Sequence, residues 1–356
     1  MKKTMGLVVL PLHIWDRELD SRILLSSLLA EDGHTVIFGH EYNLSPIYRT
    51  HQNVFHYGAG RPIFNEPRTN KWYEPIINNG GFNGLVFEEG LNDIDKASKN
   101  LFNGINKRSV TSTTRVYAWT EREKELLIKH TKNSLVDEIK EKVSVSSNTR
   151  IELLGNIGKE YHQKAEENLK AIFGDYVLIS DNFGGIEMYG SKERYDPRKD
   201  LEQRCEKQEV EQIMESIEEK IEKSKTSRIQ FCKVINQLIL DYPHIPFVLR
   251  PHPIADPDFW HKNIVKRRNI YIMYKDNIQP WVNGSIMVIH SGCTVGVEAE
   301  ISKKMCVDIS EIFQDRRELG LSSQIAKYKP KNYYELKKLI KESIMLNASR
   351  EEMLIK

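Results

Sequence analysis

Residues 247–253 read FVLRPHP, and residues 288–308 read VIHSGCTVGVEAEISKKMCVD. Both stretches have the same design. A short apolar run ends in polar residues that can face an anion. These are Arg250, Pro251, His252 and Pro253 in the first, and His290, Ser291, Gly292, Cys293 and Thr294 in the second. Apolar runs without polar alternation belong to strands covered on both faces, as in a parallel α/β sheet. Ligands gather outside the carboxyl ends of such strands. Two adjacent strands with these ends predict a site for a phosphorylated ligand.

The residue types carry the chemistry. Prolines on both sides of His252 pin the local backbone. Arg250 offers a fork of donors to phosphate. His252 can donate to a phosphate oxygen or protonate a leaving group near neutral pH. Taken alone, this tetrapeptide fits a structured loop with a surface histidine equally well. Ser291–Thr294 lies between a strand and a helix, where a helix N-terminus attracts anions. An ordinary N-cap by Ser291 or Thr294 fits there too. Gly292 lets a ligand approach closely. Glu298, one turn into the helix, is placed to reach a ribose hydroxyl or to remain a simple exposed or capping glutamate.

Outward from these stretches, the chain alternates strand and helix patterns. Gly6–Leu12 is an apolar strand, Leu19–Glu31 has helical spacing, Gly33 ends the helix, and Thr35–Phe38 is a second strand. This opening predicts a doubly wound α/β domain. Gly58-Ala59-Gly60, after a polar tract, reads as a turn rather than a dinucleotide fingerprint. Strands are expected at Gly84–Phe87, Val116–Trp119, Ile151–Leu154 and Tyr176–Ser180, with helices near Glu121–His130 and Tyr161–Phe173. Glu202–Lys223 and Arg228–Leu240 read as two amphipathic helices. Strands follow at Phe247–Leu249, Ile270–Met273, Ile286–Ile289 and Met305–Ile309. A helix is expected at Thr294–Ser302, and Tyr333–Met345 closes the chain as another. The expected layout is a first domain over 1–165, a second over 166–330, and a C-terminal helix over 331–356 that crosses back.

Composition narrows the class. The chain has 356 residues, 40% of them hydrophobic, enough for two domains with real cores. A net charge of +2 gives no strong basic field, so no nucleic-acid partner is expected. Cys205, Cys232, Cys293 and Cys306 are scattered, which predicts neither a disulfide framework nor a zinc site and fits a reducing cytoplasm. The apolar run at the start is too short for a signal peptide and reads as a buried strand. No stretch approaches the ~20 apolar residues of a bilayer span. Lys331–Lys341, rich in lysine and tyrosine, offers a peripheral contact to anionic headgroups, though a plain packed helix fits it better.

Weaker motifs remain. Glu88-Glu89-Gly90 ends a strand, where a carboxylate can take a proton from an attacking hydroxyl. By itself this tripeptide is a commonplace turn. Asp181 and Asn182 end another strand, either in a cleft or in a plain turn. Asp93-Ile94-Asp95 is a chance DxD in a helix-like stretch. No histidine pair has metal-ligand spacing, and no metal is expected.

Together, GLVVLP, RELDSRILLSSLLAEDGHTVIFG, FEEGL, DNFG, RPHP and the NIQPWV…VIHSGCTVGVEAEISKK series resemble the bacterial surface carbohydrate biosynthesis proteins. The resemblance spans most of the chain; the middle, Glu187–Ser227, lies outside it. It implies a GT-B type α/β fold with two doubly wound Rossmann-like domains facing a cleft. That family is similar in turn to Kdo transferases and to bacterial sialyl- and polysialyltransferases. The resemblance therefore implies a glycosyltransferase that moves an acidic sugar, such as Kdo or a sialic-acid-like nonulosonate, from a CMP-activated donor to a surface polysaccharide. Its acidic-acidic-glycine motif maps onto Glu88, Glu89 and Gly90, with Glu89 the base and Glu88 behind it. Its His-Pro motif maps onto His252 and Pro253, and its serine or threonine motif for the donor phosphate onto Ser291 and Thr294. Arg250, His290, Gly292, Cys293 and Glu298 complete the expected donor site, with Asp181 and Asn182 in the cleft. The implied partners are a nucleotide-sugar donor and an oligosaccharide or lipid-linked glycan acceptor, with no cofactor and a cytoplasmic location, peripheral to the inner membrane at most. Two alternatives stay open. RxHP followed by a serine-rich phosphate site also resembles teichoic-acid polymerases, which use a CDP-alditol. A catalytically silent glycan-assembly module is the other.

Overall fold

The structure, a computed structural model, describes residues 6–12, 15–59, 73–86, 107–131, 133–146, 149–190, 196–202, 207–274, 276–317 and 319–355. The chain divides into two compact units, Met1–Glu160 and Tyr161–Lys356.

The first unit is built on six parallel strands. They are β1 (Leu7–Leu12), β2 (Thr35–His40), β3 (Phe55–Ala59), β4 (Phe82–Val86), β5 (Arg115–Ala118) and β6 (Val143–Val145), in the order β2-β1-β3-β4-β5-β6. Helix Trp15–Glu31 follows β1, and Gly33, at a left-handed φ of 91°, turns the chain into β2. Val9, Leu10 and Leu85 are fully buried. Two expectations fail in this unit. Gly58 and Ala59 are not in a turn but end β3, paired with Leu85 and Val86; Gly60 lies outside the described residues. Glycine is needed at 58 because a Cβ would lie 2.2 Å from Pro11 Cγ on the next strand. Ile151–Leu154 is not a strand. It continues helix Thr149–Glu152 into a turn, with the Leu153 N–H bonded to the Thr149 carbonyl. A four-residue apolar run does not tell helix from strand.

The second unit has five parallel strands: β7 (Val177–Ser180), β8 (Phe247–Arg250), β9 (Ile270–Ile272), β10 (Met287–His290) and β11 (Cys306–Asp308). β7, β8 and β10 are buried throughout, which accounts for their unbroken apolar runs. The order is β11-β10-β7-β8-β9. From β7 the chain builds outward to β8 and β9, then returns to place β10 and β11 on the other side. The topological switch point lies between β7 and β10. β8 and β10 are therefore not adjacent, contrary to the expectation from their sequences; β7 separates them.

The predicted helices over 202–223 and 228–240 are one 35-residue helix, Lys207–Asp241. Its polar middle, Ser224–Ser227, contains neither glycine nor proline, so nothing stops it. Phe231, Ile235, Leu238 and Ile239 from its second half fill the core beside Trp260 and the sheet. Helix Tyr333–Ile355 packs Leu336 and Ile340 into the same core. Its Lys337 is paired with Asp241 at 2.9 Å, so part of the Lys331–Lys341 charge is already neutralised within the unit. Among the described residues no helix is long and apolar enough to cross a membrane.

Candidate functional site

Register places Arg250, Ser180, His290 and Asp308 in one row across the second sheet. The next residue on each strand leaves the carboxyl edge, where an open α/β sheet binds ligands.

Asp181 ends β7 and is 1% exposed. Its Oδ1 accepts the N–H of Phe183 at 2.7 Å, and its Oδ2 accepts the N–H of His252 at 2.8 Å. Burial pushes the carboxyl up to about 6, although the two N–H groups and the Arg317 charge oppose the rise. Asp181 thus ties the loop after β7 to the loop after β8. Gly184 completes this joint, since a Cβ there would lie 2.3 Å from His252 Nδ1. His252 is half-buried. Its Nδ1 accepts the N–H of Ile254 at 3.3 Å, so the neutral ring carries its proton on Nε2. Pro253 is exposed.

Arg250 closes β8. Its Nη2 donates to the Asp276 carbonyl at 2.6 Å, and its guanidinium lies 4.9 Å from the Trp281 ring centre. It is 7% exposed, so the guanidinium expected at a phosphate is buried against the Asp276 carbonyl and Trp281.

The second wall follows β10. His290 is fully buried, and burial lowers its pKa although Asp308 beside it opposes the shift. Helix Thr294–Ile301 lies over its ring, and a Cβ on Gly296 would be 2.5 Å from His290 Nε2. Gly292, at φ 65°, makes the left-handed turn into that helix. Cys293 occupies the N-cap position, with its Sγ 3.3 Å from Ser180 Oγ. Burial pushes the Cys293 thiol up to about 11, so it is no nucleophile at neutral pH. Thr294 opens the helix and is half-buried. Glu298 is 2% exposed, not the surface residue one reading expected. Ser291 is fully buried; its hydroxyl donates to Asp315 Oδ2 at 2.7 Å and accepts from Arg317 Nη2 at 3.0 Å.

Two walls therefore face one another across the switch point. Asn182 links them, its Nδ2 donating to the Gly292 carbonyl at 2.8 Å. Sequence reasoning did not find Asp315 and Arg317. Their only signal is an acid and a base two residues apart in the loop after the last strand. Glu88 and Glu89 lie outside the described residues, as do Gly90, Asp93 and Asp95. Among the described residues no His, Cys, Asp or Glu cluster has metal-binding geometry.

No family model matches the chain, and no curated protein matches it in sequence. Solved structures do match its fold. UDP-GlcNAc 2-epimerase from Neisseria meningitidis bound to UDP-GlcNAc aligns with a TM-score of 0.52 at 12% identity, over 98% of this chain and 94% of that one. The epimerase from Methanocaldococcus jannaschii, in complex with UDP-GlcNAc and UDP, gives 0.53 at 12% identity, over 95% and 92%. A variant of the wall teichoic acid polymerase TagF gives 0.54 at 9% identity, over 95% and 80%. At these identities the likeness is one of fold.

Proposed function

From the GT-B type fold of two doubly wound α/β units that the chain shares with these structures, we propose that it is a glycosyltransferase. It uses a nucleotide-activated sugar to build a surface polysaccharide. One observation carries the reading: the strand order of the second unit reverses between β7 and β10, and the polar loops converge there. The left-handed turn at Gly292 leads into helix Thr294–Ile301, whose first turn offers the positive end of its dipole. His252, donating a hydrogen bond from Nε2, stabilises the departing phosphate as charge develops. The ligands of the two epimerase structures, UDP-GlcNAc and UDP, support a nucleotide ligand for this fold. Glu89 as the base toward the acceptor hydroxyl rests on the sequence motif alone. The finer reading is a CMP-linked acidic sugar, and it too rests on the sequence resemblance.

A thermal-shift panel of CMP, CDP, UDP and GDP tests this. A ligand at 100 times its Kd adds about 2.7 kcal/mol, worth roughly 5–10 °C in Tm for a unit of this size. The expected order puts CMP first. A preference for UDP or GDP removes the CMP-sugar part and spares the nucleotide site. No shift with any of the four removes the site.

The fold likeness to TagF favours a second reading, transfer of polyol phosphate from a CDP-alditol. That reading asks His252 and His290 to flank a pyrophosphate, whereas His290 is sealed beneath helix Thr294–Ile301. Release of CMP from a CMP-sugar, with none from a CDP-alditol, separates the two.

A further inference from the structure

Ser291 has the residue type of a phosphate ligand but not the freedom of one. A serine hydroxyl has a single proton to donate, and here that proton goes to Asp315 Oδ2. Asp315 is sealed, with its side chain 0% exposed. It also accepts the Ser227 hydroxyl at 2.7 Å and both the backbone N–H and Nε–H of Arg317. Burial alone would raise the Asp315 carboxyl. The guanidinium of Arg317 and the Ser227 hydroxyl outweigh it and hold the group below the ordinary carboxylate range.

Arg317 is the partner these bonds converge on. Its Nη1 donates to the Asn182 carbonyl at 2.8 Å, at the end of β7. Its Nη2 donates to the Ser291 carbonyl at 3.1 Å, at the end of β10. One planar fork therefore grips both walls of the switch point, while Asp315 holds the fork from behind. The Phe183 ring, 4.1 Å from the guanidinium carbon, fixes its plane. A lysine offers a point charge and no fork, so it cannot hold both carbonyls in register.

We propose that Arg317, held by Asp315, is a positioning residue of the nucleotide site. It sets the spacing between Asn182 and Ser291 and thereby aims the Gly292 turn and the first turn of helix Thr294–Ile301 at the ligand. Ser291 is a strut of this clamp and makes no bond to phosphate. The proposal rests on the donor-site reading above and adds residues that neither the motifs nor the fold likeness identify.

The experiment measures CMP affinity by calorimetry for wild type, Arg317→Lys, Ser291→Ala and, as a control, the exposed neighbour Arg316→Lys, with a melting curve for each. Arg317→Lys is expected to melt as a folded protein and to lose about tenfold or more in affinity, because misplacing a binding group by a fraction of an ångström has effects of that order. Ser291→Ala is expected to stay within roughly threefold of wild type, since no phosphate bond is lost. Arg316→Lys is expected to change neither quantity. Equal affinity in wild type and folded Arg317→Lys overturns the proposal and leaves the donor site standing. So does an affinity loss in Ser291→Ala as large as that in Arg317→Lys. If Arg317→Lys does not fold, Asp315→Asn replaces it and is expected to weaken CMP binding by the same order. Wild type that binds no CMP, CDP, UDP or GDP removes the donor site and this proposal with it.

Discussion

The N–H of His252 donates to Asp181 Oδ2 at 2.8 Å, so the carboxylate that ends β7 holds the histidine loop that follows β8. The two residues follow neighbouring strands, β7 and β8. The position of the histidine is thus set by a buried acid, and the prolines on either side of it only limit the backbone it starts from.

The first prediction concerns pH. Burial lifts the Asp181 carboxyl up to about 6 in the folded protein. The folded state therefore binds this proton more tightly than the unfolded one. The stability it contributes is complete below the unfolded carboxyl value near 4 and is lost as pH rises through about 6. The loss is on the order of 2–3 kcal/mol. Tm measured from pH 4 to 6.5 should fall, with Glu123, which burial pushes up to about 7, acting in the same direction, and Asp181→Asn should make the slope shallower. An unchanged slope in the variant would show that another group carries it.

Gly184→Ala should displace the histidine. Its Cβ would start 2.3 Å from His252 Nδ1, and the ring has to move. Overpacking of this kind costs about 1–3 kcal/mol. The variant is expected to fold, melt several degrees lower and lose nucleotide binding out of proportion to its stability. Urea melts and calorimetry on the same sample check both halves.

Gly296→Ala sets two effects against each other. Alanine gains about 1 kcal/mol over glycine inside a helix. Here the added methyl would meet His290 Nε2 at 2.5 Å, in a ring with 0% exposure and no room to retreat. A cost of about 1–3 kcal/mol, plus the lost space for the ring, should win. A stabilised variant would show that the helix can lift from the sheet.

Arg250→Met tests the buried guanidinium. It removes the bond to the Asp276 carbonyl and the contact with Trp281. A loss of about 2–3 kcal/mol is expected from those two interactions. Nucleotide affinity of the folded protein should stay within about twofold, because the guanidinium is buried and engaged by Asp276 and Trp281. A large affinity loss with unchanged stability would return Arg250 to the ligand.

The legible parts of the sequence were those where one physical demand acts alone. β8 and β10 are buried on both faces, so their residues spell out an apolar run and then stop where the edge of the sheet begins. β3 and β6 escaped because FHYGA and VSV carry polar side chains and are short. Strand adjacency was not legible at all. Nothing local to β8 or β10 says that β7, met much earlier in the chain, will stand between them. At the site, residue type singled out Arg250 and Ser291, yet partners decide use, and both side chains are already bonded within the protein, to the Asp276 carbonyl and to Asp315. Arg316 and Arg317 are adjacent and identical in type. Only the fold makes one a clamp and leaves the other exposed.

The bonds that join the two walls connect distant stretches of chain. Asn182 reaches Gly292 across 110 residues and Arg317 across 135. Such contacts pay their loop-closure entropy before they return any energy, so they form late. Neither wall exists in a chain whose last strands are still being made or have come undone. The nucleotide binding proposed for this crevice would therefore be a test of complete folding of the second unit: a partly assembled sheet would offer the nucleotide nothing to hold, and occupancy would select for chains in which all five strands have found their places.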